Sequence, residues 1–105
     1  MTSPYPTPEV ELHDMRIHSR GYEAVLIAAR DAHAVLDIVL NAADPAAARR
    51  AIADRYDFTD RQARAVMDVE LHRLTASELE RIQQRRRQLD RRIASLEQEL
   101  SSDPQ

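Results

Sequence analysis

Four histidines and one short acidic cluster are the side chains in this sequence that could support catalysis or bind a metal. The histidines are His13, His18, His33 and His72. None stands four residues from another or in a His-Glu-x-x-His arrangement, the spacing by which one helix presents two imidazoles to zinc. Asp68 and Glu70 precede His72 closely enough to suggest acid–base chemistry, but hydrogen bonding of Asp68 at a helix end explains them equally well. The sequence therefore favours exposed or packed histidines, with no catalytic residue and no metal site.

Missing residue types exclude further chemistry. The chain has no Cys, which rules out disulfides and thiolate metal ligands. Its single Gly cannot form a glycine-rich phosphate loop, so we expect no cofactor and no ATPase element. The formal net charge of −3 argues against general attraction to nucleic acid or anionic membranes. No apolar run reaches the ~18–20 residues that span a bilayer, and no secretory signal is visible, so we expect a cytoplasmic protein without a membrane partner.

One dense basic cluster lies between residues 81 and 92. Its members are Arg81, Arg85, Arg86, Arg87, Arg91 and Arg92. Phosphate contact with DNA is one interpretation, for which the candidate residues are Arg81, Arg85, Arg87, Arg91 and Arg92. A solvated helix face is the other, because Glu78, Glu80 and Asp90 stand three and four residues from these arginines. No aromatic residue lies among them, so the cluster offers no stacking platform for single strands.

The elements that position these side chains are helices. The composition is 43% hydrophobic and 31% charged with a single Gly, which is typical of paired helices. Thr7 and Asp44 each precede a proline, the pattern of an N-cap followed by Pro at the first helical position. Thr59 with Gln62, and Thr75 with the glutamate three residues later, have the spacing of capping boxes. These signals predict helices that begin just after residues 7, 44, 59 and 75.

Two apolar stripes predict how the long helices pack. Positions 12, 15, 19, 22, 26, 29 and 33 alternate in steps of three and four, as do positions 79, 82, 86, 89, 93, 96 and 100. Two such stripes, one at each end of the chain, bury each other most simply as an antiparallel pair. We therefore predict an all-α fold, an antiparallel two-helix coiled-coil arm capped by a small globular tip of short helices.

Two residues of the long helices and one short segment allow more specific predictions. Arg86 interrupts the second stripe, and such polar breaks usually set the register of a helix pair. Gly21 lies inside the first long helix at a cost of about 1 kcal/mol relative to Ala, and is expected at a tolerated, solvated position, with a hinge as the alternative interpretation. The segment 35–40 is so apolar that we expect the helix containing it to be mostly buried.

The length of 105 residues indicates one domain. The Pro-containing residues 1–7 are interpreted as a flexible leader. Residues 8–101 form the arm and its tip, and residues 102–105 are interpreted as a disordered tail.

The middle of the chain resembles a known family. The stretch 61–68, RQARAVMD, followed by Leu71-His72-Arg73-Leu74-Thr75, is similar to part of the A subunits of bacterial type IIA topoisomerases, DNA gyrase and topoisomerase IV. The resemblance extends over roughly residues 10–100. In that family the segment lies in the globular tip of a coiled-coil arm, and two tips meet as the C-gate, the exit gate for transported DNA.

The resemblance implies a homodimer that forms through the tip. Carried over position by position, Met67, Leu71, Leu74 and Thr75 are the implied contacts. The family usually has Gly-Leu directly after this corner, whereas this chain has Ala-Ser, so the interface is expected to differ there. A stable interface of this kind buries about 1,200–2,000 Å² in total.

The family's catalytic residue is a tyrosine beside an arginine on a winged-helix domain. Tyr5, Tyr22 and Tyr56 do not match that motif, so the resemblance implies a non-enzymatic protein. The first hypothesis is a small stand-alone homodimerising protein that pairs with itself, or with a full-length A subunit, and so modulates a topoisomerase. The alternative is a small DNA-associated protein that uses the basic face 81–92.

Overall fold

The computed structural model describes residues 7–101, which form five α-helices and one short 3₁₀-helix. In chain order these are α1 (Pro8–Arg30), α2 (Ala32–Asn41), α3 (Pro45–Tyr56), α4 (Asp60–Met67), the 3₁₀-helix (Leu71–Leu74) and α5 (Ala76–Ser101). The described residues contain no β-strand, so the predicted all-α class is confirmed. Residues 1–6 of the predicted leader and 102–105, the predicted tail, lie outside the described part of the chain.

The helix starts lie where the capping residues predict them. Each cap accepts a hydrogen bond from a backbone N–H in the first turn: Thr7 from Val10 (3.2 Å), Asp44 from Ala47 (2.8 Å) and Thr59 from Gln62 (3.2 Å). The Gln62 side chain also accepts from the Thr59 N–H at 3.0 Å, which completes a capping box. These bonds satisfy amides that would otherwise lack a partner and so fix where each helix begins.

The two long helices, α1 and α5, run antiparallel. Residues at increasing positions in α1 contact residues at decreasing positions in α5: Arg16 with Glu97 (2.6 Å), Ser19 with Asp90 (2.5 Å) and Glu23 with Arg86 (3.5 Å). This confirms the predicted antiparallel pair, while its supercoiling stays a prediction. The molecule is accordingly elongated, with extents of 55 × 29 × 24 Å. None of the described helices is long and apolar enough to cross a bilayer.

The core is aliphatic and centres on α1, which packs against both α5 and α4. Leu12 and Leu26 of α1 and Leu96 of α5 are buried along the arm. The tip has its own buried residues, among which Ile52 of α3 and Ala63 of α4 are fully covered. Because α3 packs against α2 and α4, the short helices are tied into one cap at the end of the arm.

The expectation for Gly21 was wrong. Gly21 is half-buried where α4 crosses α1, and a Cβ built on it would lie 3.9 Å from the Ala65 Cβ. The Gln62 side chain donates to the Arg20 carbonyl at 3.1 Å beside this crossing. The reason is tertiary: α4 folds back over α1, which the periodicity of α1 alone does not reveal.

The expectation that α2 is mostly buried was also wrong, since none of its residues is buried. The helical chain breaks at Asp31, where the backbone leaves helical geometry (φ −124°, ψ 37°), and α2 diverges from the arm. The Tyr56 hydroxyl donates to Asp31 at 2.6 Å and fastens α3 to this break. Neighbouring helices cover part of α2, and Leu36 and Leu40 remain exposed.

Candidate interaction surface at the tip

A fixed corner joins α4 to α5 and presents the 3₁₀-helix to the outside. The Arg73 N–H donates to the Glu70 carbonyl at 2.9 Å, and the Leu79 N–H donates to the Thr75 carbonyl at 2.9 Å. The Thr75 hydroxyl donates to the His72 carbonyl at 3.3 Å. These local bonds hold the turn without any buried side chain in the 3₁₀-helix, so its outer face is free to meet another molecule.

Of the four predicted contact residues, two line a common groove and two do not. Leu71 is 85% exposed, an unusual state for a leucine, and Leu74 is half-buried beside it. Both line one apolar groove. Met67 is half-buried and Thr75 is exposed, and neither lines the groove.

The groove runs between the α1–α2 junction on one side and the segment 66–74 on the other. Its volume is about 230 Å³. The far wall includes Leu36 and Val39 of α2, and His33 is the one ionisable side chain among the described residues that line it. An open groove with nearly uniform aliphatic walls attracts apolar groups and offers little to a charged ligand.

Exposed apolar side chains concentrate at this end of the molecule. Leu36 is 55% exposed, Val39 36% and Leu40 71%, in addition to Leu71. Val10, at 49%, is the one other large apolar side chain with this degree of exposure among the described residues, and it lies near the start of the arm. Contiguous apolar patches of this kind mark interaction surfaces on soluble proteins.

Sequence reasoning missed the α2 side of this surface. It took the apolar density of residues 35–40 as evidence of burial. The sequence contained a usable indication, because the apolar residues at 35, 36, 38, 39 and 40 point in directions that span more than half of the circumference of a helix. A ten-residue helix packed on one side by α3 leaves the remaining directions uncovered.

The candidate DNA contacts do not share one face. Arg85 and Arg92 line a shallow cleft between α1 and α5. Arg81 lies 3.9 Å from Glu78, while Arg87 and Arg91 are exposed elsewhere on α5. The basic cluster is therefore divided between two sides of α5, with Arg81, Arg85 and Arg92 on one side and Arg87 and Arg91 on the other.

Arg86, the expected polar break, lies at the seam between α1 and α5. Its guanidinium is 3.5 Å from Glu23 and 3.6 Å from Asp90. The Arg86 Nε is buried without a hydrogen-bond partner in the described structure. Asp90 accepts from the buried Ser19 hydroxyl at 2.5 Å, so a small polar layer lies at the middle of the arm.

The groups considered for acid–base chemistry remain ordinary surface residues. His72 Nδ1 lies 3.4 Å from a Glu70 carboxylate oxygen, and both side chains are largely exposed.

Burial, followed by the hydrogen bond to Asp31, raises the pKa of Tyr56 above its usual value of 10.0, which makes this phenol a weaker acid. In the described residues no three His, Cys, Asp or Glu side chains are grouped to hold a metal ion.

The chain is similar to curated proteins over nearly its whole length. It is 36% identical to the DNA gyrase A subunit of Thermotoga maritima over 90 residues, which is 86% of this chain. It is 31% identical to that of Campylobacter jejuni and 32% identical to that of Brachyspira hyodysenteriae, each over 93 residues and 89% of the chain. The chain spans 11% of the length of each of these relatives. No protein-family profile matches it.

Proposed function

This chain is a homologue of one segment of the DNA gyrase A subunit, and we propose that it is a non-enzymatic protein that homodimerises through its tip in a topoisomerase-related role. The observation that carries the proposal is the cluster of exposed apolar side chains around the tip groove, with Leu71 as its most exposed member. The resemblance of the corner to the exit-gate tip of type IIA topoisomerases supports the same surface.

The geometry of the tip favours a two-fold partner over an unrelated ligand. A two-fold interface uses the same patch on both chains, so a protruding side chain and a receiving groove must lie near each other. Leu71 projects from one wall of the groove, and Leu36 lies on the opposite wall. In a two-fold pair, the Leu71 of each chain enters the groove of its partner.

The energy available is large enough for a stable pair. Fully burying one leucine side chain contributes about 1.5–3 kcal/mol. Leu36, Leu40 and Leu71 are each more than half exposed, and symmetry counts every contact twice. This gain offsets the entropic cost of association, about 4–15 kcal/mol, only when several of these leucines are buried together. Dimerisation therefore depends on the whole cluster.

Light scattering with a matched pair of variants tests the proposal. At micromolar concentration the wild-type chain is expected at about twice its 12.0 kDa mass. Leu71→Glu buries a charge in the interface and is expected to give a monomer with unchanged helical circular dichroism. Val10→Glu is the control, because it makes the same kind of change at an exposed apolar residue on the arm. A monomeric wild type, or a Leu71→Glu protein that remains a dimer, would contradict the proposal.

A second experiment addresses the biological partner. We propose that the same surface pairs with the tip of a full-length gyrase or topoisomerase IV A subunit, so that a mixed pair replaces the native one. Added wild-type chain is then expected to change the supercoiling activity of purified gyrase. Leu71→Glu is expected to leave it unchanged. An identical effect from both proteins would show that any change arises elsewhere.

A further inference from the structure

The side of the arm carries another concave surface, which shares His18 and Tyr22 with a larger cavity between α1 and α4. This cleft has a volume of about 390 Å³ and lies between α1 and α5. Its lining is His18 and Tyr22 from α1, and Arg85, Gln88, Leu89 and Arg92 from α5. It does not share a residue with the apolar groove at the tip, so the two surfaces can be tested independently.

Helical spacing explains why these residues converge. Residues 85, 88 and 92 are separated by three and four positions, which puts them on one face of α5. His18 and Tyr22 are four apart and share one face of α1 in the same way. The antiparallel alignment, in which Ser19 meets Asp90 and Glu23 meets Arg86, brings these two faces side by side.

The cleft is a ring of hydrogen-bond donors without an acidic member. Two guanidinium groups, an imidazole, an amide and a phenol line it, and Leu89 is its one apolar side chain. Arg85 makes no ion pair with the other described residues, whereas Arg86 forms ion pairs with both Asp90 and Glu23 at the seam. Arg92 lies 3.8 Å from Glu11, which is partly exposed.

We propose that this cleft binds a phosphate group, with Arg85 and Arg92 as its principal ligands and His18, Tyr22 and Gln88 as additional donors. A guanidinium presents paired N–H groups in a plane that matches two oxygens of a phosphate, and such charge-assisted bonds are the strong ones. The long side chains of Arg85 and Arg92, about 10.5 Å apart along the helix axis, can close on an anion between them. Binding replaces the long contact between Arg92 and Glu11.

The phosphate can come from two sources, a phosphodiester of duplex DNA or free inorganic phosphate. The net charge of −3 provides no general attraction to DNA, so either source must be recognised locally by the cleft. A duplex held through one or two phosphates shows a shallow salt dependence, since each neutralised phosphate contributes about −0.9 to the slope of log K against log salt.

The test compares two arginines that differ in place and not in charge. Arg85→Ala removes a cleft ligand, and Arg87→Ala removes an exposed arginine of the same helix that lies outside the cleft. Inorganic phosphate is titrated into the full chain and followed through the NMR signals of the His18 and Tyr22 rings, with sodium chloride at matched ionic strength as the reference. A fluorescein-labelled duplex is titrated in parallel and followed by anisotropy.

Arg85→Ala is expected to weaken binding at least tenfold, and Arg87→Ala less than twofold, with the helical circular dichroism of both unchanged. Binding of the duplex alone identifies the phosphodiester as the source, and binding of inorganic phosphate alone identifies the free anion. No binding by either probe, or equal losses in the two variants, overturns the proposal. Because neither variant touches the tip, the mass measured by light scattering is expected to remain that of the wild type.

Discussion

The arm and the tip are built from the same aliphatic side chains, yet they differ in how completely they are covered. Along the arm, Leu12, Leu26 and Leu96 are buried between α1 and its neighbours. At the tip, Leu36 and Leu71 are more than half exposed. Long helices cover one another over many turns, whereas a ten-residue helix and a four-residue 3₁₀-helix have surface left over. The apolar side chains of the arm therefore stabilise a single chain, whereas those of the tip leave an uncovered surface that we propose a second copy covers.

The largest expected effect is the loss of stability when a buried side chain of the arm is truncated. Leu96 is almost fully buried in the seam, so Leu96→Ala leaves a cavity and is expected to lower the free energy of unfolding by about 2–5 kcal/mol. Urea denaturation in the Leu71→Glu background measures the loss without a contribution from dimerisation. A loss below about 1 kcal/mol would show that the seam of the arm is not the main source of stability.

The next effect tests the part of the tip that sequence reasoning missed. Leu36→Glu puts a carboxylate on the groove wall that we propose receives Leu71 of a second copy, and we expect the dimer dissociation constant to rise at least a hundredfold. Because Leu36 is 55% exposed in the single chain, its monomer is expected to unfold within about 0.5 kcal/mol of the wild type. Sedimentation equilibrium measures the first quantity and urea denaturation the second. If Leu36→Glu and the wild type have the same dimer dissociation constant, α2 does not lie in the proposed interface.

A smaller effect concerns the joint between the two regions. The Tyr56 hydroxyl donates to Asp31 where α1 ends, and losing this bond in Tyr56→Phe is expected to cost about 1 kcal/mol at neutral pH. The folded state raises the pKa of Tyr56 above its unfolded value of 10.0, because burial and the nearby Asp31 disfavour the phenolate. The stabilisation is therefore complete below pH 10.0 and is lost as the pH rises through the folded pKa.

Unfolding of the wild type and Tyr56→Phe, measured near neutral pH and well above pH 10.0, checks this expectation. The difference in their unfolding free energies should shrink at the higher pH. A difference that stays constant would show that the phenol ionises equally in the folded and unfolded chains.

The smallest expected effect is a gain in stability. Gly21→Ala raises helix propensity in α1 and is expected to stabilise the chain by about 0.5–1 kcal/mol. The added methyl group would lie 3.9 Å from the Ala65 Cβ, which is ordinary contact and requires no movement of α4. The midpoint of thermal unfolding measures the gain. A lower midpoint would show that α4 crosses α1 more closely than this distance allows.

Much of the fold could be predicted because it is encoded locally. The caps at Thr7, Asp44 and Thr59 depend on contacts three residues apart, and all three bonds are present. The two heptad stripes similarly indicate the antiparallel pairing of α1 with α5. The start of α5 at Ala76, directly after Thr75, also agrees with the prediction. The Thr75 hydroxyl donates to the His72 carbonyl, and the capping box with Glu78 stays a prediction.

The remainder depends on contacts between distant segments. The exposure of α2 is set by how much of it α3 and its other neighbours cover, which no property of residues 32–41 reveals. The same holds for Gly21, whose surroundings come from α4. At the candidate interface, the corner places Leu71 and Leu74 on the groove but not Met67 or Thr75. The cleft lined by Arg85 and Arg92 likewise exists only because α1 and α5 meet in one particular alignment.

The polar layer at Arg86 has a mechanical consequence for the arm. If α5 slid along α1 by one helical turn, about 5.4 Å, the buried Ser19 hydroxyl would lose its bond to Asp90 and Arg86 would move away from Glu23. Longitudinal slippage is thus penalised at the middle of the hairpin, even though leucines alone would tolerate it. In the dimer that we propose, sliding of α5 along α1 would therefore not be the way in which two paired tips separate.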